Sequence, residues 1–157
     1  MPARDDYILR FINLLREALA EALRLRTAGN YEQALLTLMI AQEKLFARPA
    51  PEFLGRPLDE QLRMLTIGES DENARTKVLG YASLLREAGL VYEKRDRRDL
   101  AESAFQLALH VTLLSAASAT GPTRDETLEQ ARELLARVPA DQLHEPVKEL
   151  LKAVGAS

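Results

Sequence analysis

Two stretches of this chain repeat one another's spacing of small and large side chains, and that spacing narrows the fold more than any other feature. The stretch from Ala22 to Ala34 lies against the stretch from Gly89 to Ala101 at an offset of 67 positions, 34 to 101. In each, a small residue (Ala22, Gly89) is followed three positions on by a larger one (Leu25, Tyr92), then by a tight turn, then by alanine. Further along, Leu38 matches Phe105 and Ala41 matches Ala108. The physical reason is packing: small residues let two antiparallel helices approach closely, larger ones fill the groove beside them, and a further alanine lets the next helix dock.

The periodicity around these stretches is helical. Ile8, Phe11, Ile12, Leu15, Ala18, Leu19, Ala22 and Leu23 recur at three- and four-residue steps, with Leu14 and Leu25 widening the stripe. Asp5 or Asp6 caps this first helix, and Ala28-Gly29-Asn30 ends it. A second helix follows from Tyr31 to about Ala47. The segment 48–57 carries three prolines and a glycine and reads as a crossing loop with Phe53 and Leu54 turned inward. A short helix from Leu58 to about Ile67 ends at Gly68, and Ser70 or Asp71 caps a longer one reaching about Arg95. Its partner starts near Asp99 and stops before Gly121. Thr123 with Glu126 makes a capping box for the next helix, which ends near Pro139, and Asp141 or Leu143 opens the last. No segment alternates apolar and polar residues long enough to be a strand. The expectation is an all-α chain of about six to seven helices forming a single domain, with hairpins near 5–47, 71–120 and 123–154 and a crossing segment at 48–57.

The small–large–small spacing resembles the tetratricopeptide repeat. The second copy is the closer match, with Leu85, Gly89, Tyr92, Ala101, Phe105 and Ala108 agreeing in type. Departures are the Asp96-Arg97-Arg98 turn in place of a glycine and an aromatic, a missing closing proline, and Ala18 where a large residue is expected. The resemblance therefore implies an irregular stack of antiparallel helical hairpins. The opening run Asp5-Asp6-Tyr7-Ile8-Leu9-Arg10 and the Gly29-Asn30-Tyr31-Glu32 turn also resemble a family of short uncharacterised bacterial proteins, a likeness that covers most of the chain, implies a bacterial origin and brings no activity.

Chemistry-bearing motifs are scarce. Cysteine is absent from the 157 residues, which removes disulfides, thiolate metal sites and cysteine nucleophiles. The two histidines, His110 and His144, stand on different helices and read as surface or half-buried residues rather than metal ligands. Glu17 and Glu21 share a helix face, as do Glu126, Glu129 and Glu133, but arginines lie near both groups, so ion-paired solvent faces are the expectation. No phosphate-binding loop or nucleophile motif occurs. The net charge of −3 comes from interspersed signs, and the one basic cluster, Lys94 to Arg98, sits at a predicted turn, so nucleic acid is not an expected partner. No apolar run reaches the ~20 residues of a membrane span and no signal peptide is evident, which places the chain in the cytoplasm.

The expectation is thus not an enzyme, with no cofactor and no metal, but a non-catalytic interaction or scaffold module that binds a protein or peptide. Carrying the ligand-facing positions of the tetratricopeptide resemblance onto this chain implicates Arg16, Leu23 and Arg26 with Arg86, Leu90 and Glu93, the arginines receiving a peptide carboxylate. The alternative is a homodimer assembled through the first helix at Phe11 and Leu15. A more distant alternative is a small-ligand binder or enzyme with a pocket between hairpins.

Overall fold

The computed structural model describes residues 2–155, with side chains from Asp6 onward. Among the described residues there are eight α-helices and no strand: α1 Pro2–Thr27, α2 Tyr31–Phe46, α3 Ala50–Leu54, α4 Leu58–Thr66, α5 Asp71–Lys94, α6 Arg98–Ala117, α7 Gly121–Leu135 and α8 Glu145–Val154, with a 3₁₀ turn at Ala140–Gln142. The chain divides into two compact units, Met1–Gly80 and Tyr81–Ser157, and the division falls inside α5.

In the first unit α1 packs along α2. The buried faces are made by Phe11, Ala18, Ala22 and Leu25 on α1 and by Ala34, Leu38, Ala41 and Leu45 on α2. α1 closes with Gly29 at φ +83, the Gly29 N–H donating to the Arg26 carbonyl and the Asn30 N–H to the Leu25 carbonyl at 2.8 Å. This crossed pair of bonds satisfies carbonyls that a helix end otherwise leaves bare, and it needs the left-handed backbone that glycine adopts without steric cost. α1 begins at Pro2, ahead of the Asp5 or Asp6 start expected from capping. The side chain of Asp5 lies outside the described residues.

The segment 48–57 is not an irregular loop throughout, because it contains α3. Pro51 stands in the first turn of that helix, where the missing N–H costs nothing, and the Glu43 carboxylate caps it by accepting the Ala50 N–H at 2.7 Å. Phe53 is buried and its ring meets Phe46 at 5.0 Å, but Leu54 is 48% exposed, contrary to the inward placement expected for it. α4 then leads to Ser70, whose hydroxyl accepts the Asn73 N–H at 3.1 Å and so caps α5. Lys77 on α5 is buried. Its ammonium reaches Glu69 at 3.2 Å and lies 5.1 Å from the centre of the Tyr7 ring. Burial opposes the charged form, but the Tyr7 hydroxyl and the Glu69 carboxylate outweigh it and hold the Lys77 pKa above its ordinary value.

In the second unit α6 packs against both α7 and α8. Its core gathers Leu90 from α5, Phe105, Leu109 and Leu113 from α6, Leu128 and Leu134 from α7, and Val147, Leu151 and Val154 from α8. α6 is long and apolar enough to cross a bilayer, yet its apolar residues form this core, as in any central helix. Gly89 lets α5 and α6 approach: a β-carbon placed there would come within 2.5 Å of the Phe105 ring.

The turn from α5 to α6 repeats the first turn of the chain. Asp96 stands at φ +59, its N–H donates to the Glu93 carbonyl at 3.2 Å, and the Arg97 N–H donates to the Tyr92 carbonyl at 2.9 Å. Asp96 is 67 positions from Gly29, so the offset seen in the side chains holds for the turn geometry as well. Aspartate takes this backbone at a cost that glycine avoids. Asp96→Gly is accordingly expected to stabilise the second unit by about 1 kcal/mol, which urea denaturation would measure.

α7 begins at Gly121 with Thr120 as its flanking residue, so Thr123 lies inside the helix and the Thr123–Glu126 capping box does not form. The Thr123 carbonyl instead accepts the Thr127 hydroxyl at 2.7 Å. Pro122 accounts for the earlier start, since proline is favoured in a first helical turn. α7 ends at Leu135, and α8 opens after His144 rather than at Asp141 or Leu143.

Candidate functional site

The residues implicated by the sequence fall into two sets, one in each unit. Arg16, Leu23 and Arg26 stand on α1: Arg16 and Leu23 are exposed and Arg26 half-buried. Arg86, Leu90 and Glu93 stand on the part of α5 that belongs to the second unit. Of these only Glu93 is exposed, and its carboxylate receives Arg137 at 3.3 Å. Leu90 is 8% exposed and lies in one core cluster with Val147, Leu151 and Val154. It is therefore packing, not a ligand contact, because its helix face is covered by α6 and the last helix. The same correction applies to Phe11. It is 4% exposed, and its ring lies 3.2 Å from where a β-carbon on Gly80 would stand, so it cannot serve as a free self-association face. Leu15 is half-buried against the same glycine.

Among the described residues each unit carries a concavity. The first, of about 470 Å³, lies between the start of α1 and the end of α2, over Phe11, Leu14 and Leu45, with Arg10, Glu17 and Lys44 among its walls. The second, of about 530 Å³, lies at the α5–α6 turn and carries Glu93, Asp96, Arg98, Glu102 and Arg137 around Phe105. Arg137 closes one side of the second: its guanidinium lies 5.4 Å from the centre of the Phe105 ring while pairing with Glu93. Sequence reading missed Arg137, since its partner is 44 residues away and no local pattern joins them.

His110 is half-buried on α6 and His144 exposed at the start of α8. Among the described residues no group of three His, Cys, Asp or Glu could hold a metal ion. The buried Gln106 between them is a latch. It accepts the His144 N–H at 2.6 Å and donates to the Gln142 carbonyl at 3.1 Å, which ties the α7–α8 connection to α6. Burial, together with the nearby charge of His144, pulls the His110 pKa below its ordinary 6.5. The unfolded chain therefore binds the proton more readily than the folded one. The stability of the second unit is expected to be undiminished by this group above pH 6.5 and to fall as pH drops below it, until the lowered folded value is passed. Thermal unfolding at pH 7.5 and pH 5.0 should show that slope, and His110→Gln should flatten it.

One carboxylate in each cluster is ion-paired. Glu21 receives Arg24 through two contacts, at 2.6 and 2.9 Å, and Glu129 receives Arg132 at 3.1 Å. Neither cluster is enclosed, and exposed pairs of this kind contribute little to stability.

What distinguishes the first unit is its surface. Among the described residues, every large hydrophobic side chain left exposed lies between Tyr7 and Ile67. On α1 these include Leu9 and Leu23, and on α2 they are Leu36, Met39 and Ile40, one side of a helix whose opposite side is already packed on α1. No family model matches this chain, and no curated protein or solved structure matches it.

Proposed function

We propose that this chain is a non-catalytic protein-interaction module built of stacked helical hairpins, irregular and tetratricopeptide-like, with its first unit as the binding half. The observation that carries the reading is the segregation of exposed apolar side chains: Leu9, Leu23, Leu36, Met39, Ile40, Leu54 and Ile67 are all in the first unit. Contiguous exposed apolar surface mostly marks an interaction site, whereas single exposed residues need no explanation. The equal offset of the side-chain pattern and of the Gly29 and Asp96 turns supports the hairpin repeat. Repeats of this kind present broad faces to peptides or helices.

Quantitative co-purification tests the reading. Tagged wild-type chain from its native cells is expected to retain one partner at fixed stoichiometry. The Leu36→Glu/Ile40→Glu and Leu23→Glu variants lose it, singly or together, while Gln130→Glu on the exposed side of α7 keeps it. Equal retention by all variants, or a partner lost only by Gln130→Glu, contradicts the assignment to the first unit.

A further inference from the structure

We infer that the outer line of α1 receives a single amphipathic helix of another protein, one that carries a carboxylate where it meets Arg16. The inference rests on the interaction-module reading and names the chemistry of the partner. Leu9, Ile12, Arg16, Leu19 and Leu23 follow one another at steps of three, four, three and four. That is the spacing of a coiled-coil seam, in which each side chain enters a hole between four residues of a facing helix. An extended peptide repeats its side chains every second residue and cannot keep this register.

Leu9 and Leu23, the ends of the line, are 54% and 48% exposed, Arg16 between them is exposed, and Ile12 and Leu19 are half-buried. The line is about 21 Å long at the helical rise, the length of a two-heptad contact. Beside it, toward solvent, stand Asn13 and Ala20, small and uncharged side chains that let a second helix come close.

Arg16 decides the occupant. It stands in an apolar line with no carboxylate paired to it among the described residues. A helix docking there removes the guanidinium from water, which is unfavourable unless an acid is supplied to meet it. Arg16 is also the midpoint of the line, seven positions from Leu9 and seven from Leu23. A second copy of α1, laid on the first in either direction with the line in register, brings Arg16 against Arg16. Like charges facing one another at the centre of the contact act against self-pairing. The charge therefore selects another protein, with Asp or Glu at its central seam position.

The probe is a fluorescent three-heptad peptide with leucine at its seam positions and glutamate at the central one, titrated with the full chain by anisotropy. Saturable binding is expected, weakened about tenfold or more when the peptide's glutamate is changed to lysine. Arg16→Glu in the protein should reverse that preference, and Leu23→Glu should abolish binding. Both substituted positions are exposed, and circular dichroism is the check that the variants keep their helices. Absence of saturable binding, or binding indifferent to Arg16 and Leu23, overturns the inference. So does a wild-type dimer in sedimentation that Leu23→Glu converts into a folded monomer, since that gives the line to a second copy. If the peptide fails while co-purification still depends on Leu36 and Ile40, the seam falls and the interaction module stands. If both fail, the module falls as well.

Discussion

Phe105→Ala is expected to destabilise the second unit by about 3–5 kcal/mol, the cost of emptying a large buried aromatic site. The ring is almost wholly buried at the centre of the cluster shared by α5, α6, α7 and α8, and it fills the space that Gly89 leaves open on α5. It also lies under the Arg137 guanidinium, so the alanine variant loses a cation–aromatic contact together with its packing. The first unit buries apolar residues of its own, Leu38, Phe53 and Leu65 among them. Hydrogen exchange should therefore show loss of protection concentrated after Tyr81, with α2 retaining most of its own. Uniform loss through both units would mean that they do not unfold separately.

Gly89→Ala is the complementary experiment. On an isolated helix the change is favourable by about 1 kcal/mol. Here the new methyl group would come within 2.5–2.9 Å of three atoms of the Phe105 ring, so the ring or the helix must move. Overpacking of this kind costs about 1–3 kcal/mol, which outweighs the propensity gain, and the variant should have a lower urea midpoint than wild type. Combined with Phe105→Leu, which clears part of the space, Gly89→Ala should cost less than it does alone. A stabilising Gly89→Ala in the wild-type background would show that α5 and α6 are not in close contact at this point.

Much of this was legible in the sequence because close approach of two helices needs specific residue sizes. Ala22, Ala34, Ala101 and Ala108 are all buried, and Gly89 faces the ring that its spacing requires. What periodicity cannot give is which neighbour covers which side of a helix. Phe11 and Leu90 lie on apolar faces that either a partner or the chain's own helices could have covered, and the chain covers both. Leu23, on the same helix as Phe11, remains exposed.

Helix boundaries were shifted by proline in a consistent way. Pro51 and Pro122 each stand in the first turn of a helix, so proline that reads as a breaker in sequence starts α3 and moves the start of α7 ahead of Thr123. The Asp96 turn was read as a departure from the repeat, yet its backbone follows the Gly29 turn bond for bond. Hydrogen-bond geometry can persist there because aspartate tolerates the left-handed conformation at modest cost. The candidate site was only half legible. Arg16 and Leu23 stand where a partner could reach them, while the seam that joins them to Leu9, Ile12 and Leu19 emerged once α2 was seen to cover the other side of α1.

The central claim is that the exposed face of the first unit is covered by another protein in the cell. Photo-crosslinking tests it most directly, with a benzophenone side chain placed at position 23 and, as a control, at position 130 on α7. The account predicts a discrete adduct from position 23, containing one identified protein and diminished by Arg16→Glu, with none from position 130. Adducts of equal yield from both positions, or none from position 23 in cells where the chain is folded and abundant, would contradict it.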